Sequence, residues 1–164
     1  MVFDICSVQT PAVHAMQQYL PDTSNLLTIH PVFGPQSGKH GITGLKCMFF
    51  NISCDSKMYQ DFKSIFSEKL KLQIYEMSPE EHDREMAYIQ GLSHFIGRTL
   101  KKMNIPDAPL ATESYKHLRE TSELVGYDSQ ELFYSIQSDN PYAPEIRKIF
   151  LEEIYKLDTW IENK

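Results

Sequence analysis

Up to Ser78 the apolar positions fall in short runs separated by polar turns, and after it they recur every three or four residues. Val2-Phe3-Asp4-Ile5-Cys6 predicts a strand, Pro11 to Leu20 a helix with proline in its first turn, and Leu26 to Ile29 a second strand. That is a βαβ rhythm, which points to a parallel sheet. A Gly/Pro-rich loop follows from Gly34 to Gly44. Lys46 to Ile52 then predicts a third strand and Leu72 to Tyr75 a fourth. Between these two, Asp55 or Ser56 can cap a helix with Tyr59, Phe62, Ile65, Phe66 and Leu70 on one face.

From Pro79 onward strand patterns stop. Ser78-Pro79-Glu80-Glu81 carries a capping serine, a proline at the first helical position and a glutamate at the third, the layout of a capping box. The run that follows predicts one long amphipathic helix to about Asn104, with Met86, Ile89, Leu92, Ile96, Leu100 and Met103 as its stripe. Further helices fit Thr112 to Val125, stopped by Gly126, then Ser129 to Gln137, and Pro144 to about Asn163. The fold class is therefore α/β followed by all-α: residues 1–78 form a partial Rossmann-like sheet of about four strands, and residues 79–164 a helical domain. A sheet that opens on a strand implies an absent amino-terminal portion, and helices with this many apolar stripes imply packing against a second copy.

Composition is that of a globular chain, with 41% hydrophobic and 23% charged residues among 164. Residues 1–78 hold six lysines and six acidic residues, and the remainder ten basic against sixteen acidic, so the net charge of −6 sits in the helical part. Without a basic face, sequence-independent binding to nucleic acid or anionic membrane has little electrostatic support. No apolar run is long enough to span a bilayer and no signal peptide opens the chain, so the expected location is cytoplasmic. The three cysteines, Cys6, Cys47 and Cys54, form no C-x-x-C pair and read as buried free thiols.

Gly34-Pro35-Gln36-Ser37-Gly38-Lys39-His40 is not a phosphate-binding loop: its spacing is wrong, Lys39 is followed by His, and a strand comes next. No G-x-G-x-x-G follows a strand. His82-Asp83 could begin a metal site, but His94 lies twelve residues on, roughly 120° around a helix. The sequence therefore gives His82 a structural or interface role and no metal site. His30 closes an apolar strand and Ser7 follows another, the places where α/β sheets hold ligands. Both residues can be structural or catalytic. Gln90, His94 and Arg98 form a polar line at i, i+4 and i+8, among Ala87, Gly91 and Gly97. That line is either a solvated face or one left open for a ligand or another backbone.

Asp4 to Gln9, His30 to Gly38, and Glu81 to Phe95 stand in the order and spacing of the prephenate dehydrogenase family of tyrosine biosynthesis, and Leu132 to Gln137 with Asn140-Pro141 also resembles it. The resemblance implies the end of a dinucleotide-binding domain plus a helical dimerisation domain, with the glycine-rich portion missing. It implies oxidative decarboxylation of prephenate to 4-hydroxyphenylpyruvate, with NAD or NADP in the complete enzyme and no cofactor on the isolated chain. Small-molecule prephenate or arogenate, a homodimer partner and a separate nucleotide-binding chain are the implied partners.

By the same resemblance His30 polarises and deprotonates the substrate hydroxyl, and Ser7 orients that region. Ser37, Gln90, His94, Lys116 and Arg119 bind substrate, while Ser7 and Pro31 touch the cofactor. The family's lysine after Ser-Val is Gln9 here, its carboxylate-clamping Tyr-Arg pair becomes Tyr115-Lys116, and a histidine of some branches becomes Gly97. These departures keep open a second implication, a non-catalytic dimerising or ligand-sensing module.

Overall fold

The computed structural model describes residues 1–126 and 128–164, and its chain contacts divide into two compact units, Met1–Asp83 and Arg84–Lys164. The first unit is built on four strands in the order β1 (Val2–Asp4), β2 (Leu26–Pro31), β3 (Lys46–Asn51), β4 (Gln73–Glu76). β1 runs parallel to β2, and β3 parallel to β4, but β2 and β3 are antiparallel. The parallel sheet expected from the βαβ rhythm is therefore mixed. The reason lies between Pro31 and Lys46, where the chain has room for one helical turn, α2 (Pro35–Gly38), and no crossover helix to carry it back across the sheet.

Helices cover both faces of this sheet, so β2 is buried along nearly its whole length. Leu27 and Ile29 of β2 and Cys47 and Phe49 of β3 face α3 (Ser56–Ser64), where Phe49 makes edge contacts with Tyr59 and Phe66. Asp55 caps α3 by accepting from the backbone N–H of Lys57 and Met58. α3 then widens into a π turn, Ile65–Lys69, which rotates the expected apolar face: Phe62 and Phe66 stay on the core while Ile65 is 47% exposed. The other face carries Thr28 and His30, two residues apart on β2, and packs against α1 (Gln9–Tyr19). Of the three thiols, Cys47 and Cys54 are buried, whereas Cys6 is exposed, contrary to the expected burial of all three.

The run after Ser78 begins with the expected reciprocal cap. Ser78 N–H donates to Glu81 Oε2 at 2.9 Å, and Glu81 N–H donates to Ser78 Oγ at 3.2 Å. The single long helix is interrupted: α4 (Pro79–Met86) passes through a π turn, Ala87–Leu92, into α5 (Ser93–Met103). The extra residue shifts the buried face to Met86, Ala87, Gly91, His94 and Gly97, leaving the expected stripe residues Ile89 and Met103 exposed. Gly91 faces Ala143 of α8 (Ala143–Glu162), and Gly97 lies against Val125 and Thr121 of α6 (Glu113–Val125). α7 (Gln130–Tyr134), capped by Ser129 through Leu132 N–H, leads into a third π turn, Ser135–Asp139. Gln137 ties these pieces together. Its Nε2 donates to Gly91 O at 2.6 Å, and it accepts from Arg147 Nη1 at 2.7 Å. Beyond Phe150 every residue of α8 is exposed, including Ile154, Leu157, Trp160 and Ile161.

A Cβ at Gly97 would collide with the Val125 side chain and meet Thr121 O at 2.9 Å, a backbone atom that cannot swing away. Gly97→Ala is therefore expected to destabilise the helical unit by about 1–3 kcal/mol, measurable by thermal or urea denaturation of the two proteins.

Candidate functional site

β1 and β2 run side by side; Ser7 lies in the segment leaving the carboxyl end of β1, and Pro31 is the last residue of β2. The first turn of α1 starts at Gln9, and its cap residue Val8 has no side chain able to accept a hydrogen bond. Asp83 of α4 supplies that acceptor. Its Oδ1 accepts from Gln9 N–H and its Oδ2 from Thr10 N–H, both at 2.8 Å, so a carboxylate sits on the positive end of α1. The same Oδ1 lies 2.9 Å from His82 Nδ1, and His82 Nε2 lies 2.8 Å from His30 Nδ1. Asp83, His82 and His30 are all buried, the two imidazoles meeting edge to face at 81°.

This geometry assigns the ring hydrogens. A carboxylate can only accept, so His82 carries its proton on Nδ1 and turns the Nε2 lone pair to His30. His30 must then donate from Nδ1, which leaves its Nε2 unprotonated. Among the described residues, no hydrogen bond occupies that nitrogen. Burial, and after it the neighbouring His82, lower the His30 pKa to about 3, with Asp83 acting in the opposite direction. Burial also works against the Asp83 carboxylate, but the hydrogen bonds from His82, Gln9 and Thr10 outweigh it and hold the carboxyl below its ordinary value.

Gln9 is entirely engaged in this layer. Its Nε2 donates to the carbonyls of Cys6 and Ile29, and its Oε1 accepts from Thr28 Oγ1. Ser7 is half-buried at the start of α1, and its side chain makes no hydrogen bond to His30 among the described residues. Ser37 is exposed in α2 and satisfies its own turn, accepting from Gly34 N–H at 3.0 Å. Asp4, at the end of β1 and paired with Thr28, keeps a buried Oδ2 without a hydrogen-bond partner. Cys6 beside it is a poor nucleophile: although the residue is exposed, partial desolvation of its sulfur and then Asp4 push the thiol to about 11.

In the helical unit His94 and Arg98 both approach Asp128, and Arg98 also meets Phe133. His94 Nδ1 lies 3.2 Å from Asp128 Oδ2 but is not aligned as a hydrogen bond, and Gln90 Oε1 is also buried without a partner. Arg98 donates to Asp128 O and stacks over Phe133 at 4.4 Å. Burial, followed by Arg98, lowers the His94 pKa, opposed by Asp128. Lys116 and Arg119 stand on α6 in exposed ion pairs, Lys116 with Glu113 and Arg119 with Asp107 and Glu123. No group of three or more His, Cys, Asp or Glu among the described residues is arranged to hold a metal ion.

Sequence reasoning missed His82 and Asp83 as members of the His30 site. The available signal was an adjacent His-Asp pair in a capped first turn together with a strand-end histidine, 52 residues apart in the chain.

A family model described as "Prephenate dehydrogenase, dimerization domain" matches residues 78–164. The chain is 34% identical over 165 residues to arogenate dehydrogenase 2, chloroplastic, of Arabidopsis thaliana, an alignment that covers 98% of this chain and 44% of that enzyme. It is 24% identical to a probable arogenate/prephenate dehydrogenase of Methanocaldococcus jannaschii, across 100% of the chain and 38% of the relative. The chain thus spans less than half the length of these relatives. Among solved structures, Synechocystis arogenate dehydrogenase superposes with a TM-score of 0.67 at 22% identity, covering 99% of this chain and 62% of that one. Prephenate dehydrogenase from Aquifex aeolicus, solved with hydroxyphenyl propionate and NAD+, superposes with a TM-score of 0.70 at 19% identity, covering 99% and 60%. These structures share the fold of a sheet followed by helices.

A histidine held neutral in the folded state opposes folding wherever the unfolded chain takes up its proton. For His30, stability should therefore decline as the pH falls from 6.5 toward 3, whereas the Asp83 contribution is lost only below the ordinary carboxyl value of 3.8. Urea denaturation at about pH 7 and pH 5 is expected to give a lower midpoint at pH 5, and His30→Asn should reduce that difference.

Proposed function

The chain belongs to the prephenate dehydrogenase family, and on that premise we propose that it is the base-bearing and dimerising part of an NAD- or NADP-dependent dehydrogenase acting on prephenate or arogenate. The observation that carries this reading is the neutral His30 imidazole, with Nδ1 committed to His82 and Nε2 left as an acceptor. Removing hydride from a carbinol carbon requires an acceptor for the hydroxyl proton, which is the role of that Nε2. Loss of the ring carboxylate as CO2 then restores aromaticity.

The residues present fit the nicotinamide end of a dinucleotide. Ser7 lies beyond the carboxyl end of β1 and Pro31 closes the adjacent parallel strand β2, and the buried Oδ2 of Asp4 is an acceptor for an amide or hydroxyl donor. The dinucleotide, when bound, takes up the hydride. With no G-x-G-x-x-G after a strand in these residues, the pyrophosphate seat is assigned to another segment or another chain. On the helical unit, Gln90, His94 and Arg98 are proposed to meet the polar groups of the substrate. Lys116 and Arg119 are proposed to face its carboxylate after exchanging their acidic partners. The exposed stripe of α8 and the outward Ile89 and Met103 support a homodimer, because apolar area of this extent is normally covered by a second copy.

A second reading, a non-catalytic dimerising or ligand-sensing module, is favoured by one observation. Gln9, standing where the family has lysine, is absorbed in core hydrogen bonds and brings no cation to the site.

Joining this chain to a glycine-rich nucleotide-binding portion and assaying prephenate and arogenate separately decides between the two readings. In that enzyme His30→Asn is expected to lower turnover about 10² to 10⁴-fold with little change in KM. Lys116→Arg should lower KM by restoring a bidentate carboxylate contact. Turnover within a few-fold of the parent for His30→Asn would favour the non-catalytic module. Light scattering of the 164-residue chain at micromolar concentration is expected to give a dimer, and a monomer of 19.0 kDa would count against this use of α8.

A further inference from the structure

Resting on the dehydrogenase reading, we propose that the charge created by deprotonating the substrate resides on His82 and not on His30, so that His82 and Asp83 are positioning residues of a two-step proton relay. The substrate O–H breaks as His30 Nε2–H forms, and His30 Nδ1–H breaks as His82 Nε2–H forms, while the hydride goes to a nicotinamide dinucleotide. His30 remains neutral, now as the other tautomer, and His82 becomes an imidazolium whose Nδ1–H is already on the Asp83 carboxylate. After CO2 leaves, the ring oxygen is a phenolate, and the relay running backward returns the proton to it. The proton is borrowed rather than released.

The geometry favours this placement. The His30–His82 hydrogen bond is 2.8 Å and the His82–Asp83 contact 2.9 Å, so neither proton has to travel through a gap. A positive charge on His30 would sit buried one ring away from its counterion; on His82 it lies directly against it. The low pKa of His30 says the same of the ring taken alone. Among the described residues, His82 and Asp83 are the charged groups that act on the His30 ring. Opposite His30 on β3 is Met48, and α1 presents the neutral Gln9 and Thr10 amides to the same carboxylate. Asp4 of β1, paired with Thr28, is a further carboxylate on this face of the sheet, and Arg84 of α4 is stacked over Tyr142 at 4.9 Å.

Nitrogen-15 NMR of the histidine rings in the 164-residue chain tests the placement without any activity. At neutral pH, His30 and His82 should both be Nδ1–H tautomers. On acidification the doubly protonated ring should be His82, while His30 switches to Nε2–H. Replacing the partner by His82→Gln should abolish the tautomer preference of His30. A His30 that is Nε2–H at neutral pH, or that becomes doubly protonated while His82 stays neutral, overturns the relay. The wild-type titration gives this answer even if the variant fails to fold. In the reconstituted enzyme, turnover in mixtures of light and heavy water should follow a bowed curve, from two protons in motion, and become linear in His82→Gln at unchanged KM. A linear wild-type curve also overturns the relay. Turnover with the charge found on His30 overturns the relay alone. The predicted ring states in a chain that never turns over support the ring assignments and overturn the dehydrogenase reading.

Discussion

One carboxylate, Asp83, closes two accounts that helix α1 and strand β2 would otherwise leave open. Two amides at the start of α1 have no acceptor within the helix, and a buried histidine pair on the face beneath it needs a fixed direction for its hydrogens. Charge-assisted hydrogen bonds contribute about 1.5–3 kcal/mol each, and an orphaned buried amide or ring nitrogen costs a comparable amount. Structure and chemistry are thereby coupled through a single side chain. The group that seats α1 on the sheet also decides which nitrogen of His30 is available.

Periodicity made most of the elements legible, and it failed where the helix pitch changes. Tyr59, Phe62 and Phe66 pack as their spacing requires, but the π turn at Ile65–Lys69 carries Ile65 out of the pattern. The same happens at Ala87–Leu92, where one extra residue per turn exchanges the apolar stripe for a face of glycine, alanine and histidine. A pattern search at 3.6 residues per turn has no means of sensing such a turn. Strand direction was equally hidden. The loop from Val32 to Leu45 looks the same in sequence whether the chain reverses or crosses over, and only the lack of a crossover helix decides it.

The candidate site was half legible. His30 and Ser7 announced themselves by standing at strand ends, a local property. His82 and Asp83 looked like first-turn helix residues, and their part depends on α4 approaching α1, a tertiary contact that spacing cannot encode. The polar line of Gln90, His94 and Arg98 was ambiguous in sequence. Gly97 lies against Thr121 and Gly91 against Ala143, so helices approach closely beside this line, and His94 within it is buried.

Strand β1 is hydrogen-bonded to β2 on one side, and Val2, Phe3 and Ile5 around its other edge are exposed. A bare strand edge flanked by large apolar side chains is a template for any extended segment, with backbone donors and acceptors already spaced for pairing. No lysine, proline or bulge within Val2–Asp4 blunts it. A further strand laid along β1, from a preceding segment or from another chain, would extend the sheet by backbone pairing alone and would leave the histidine pair, which lies on the sheet face, untouched.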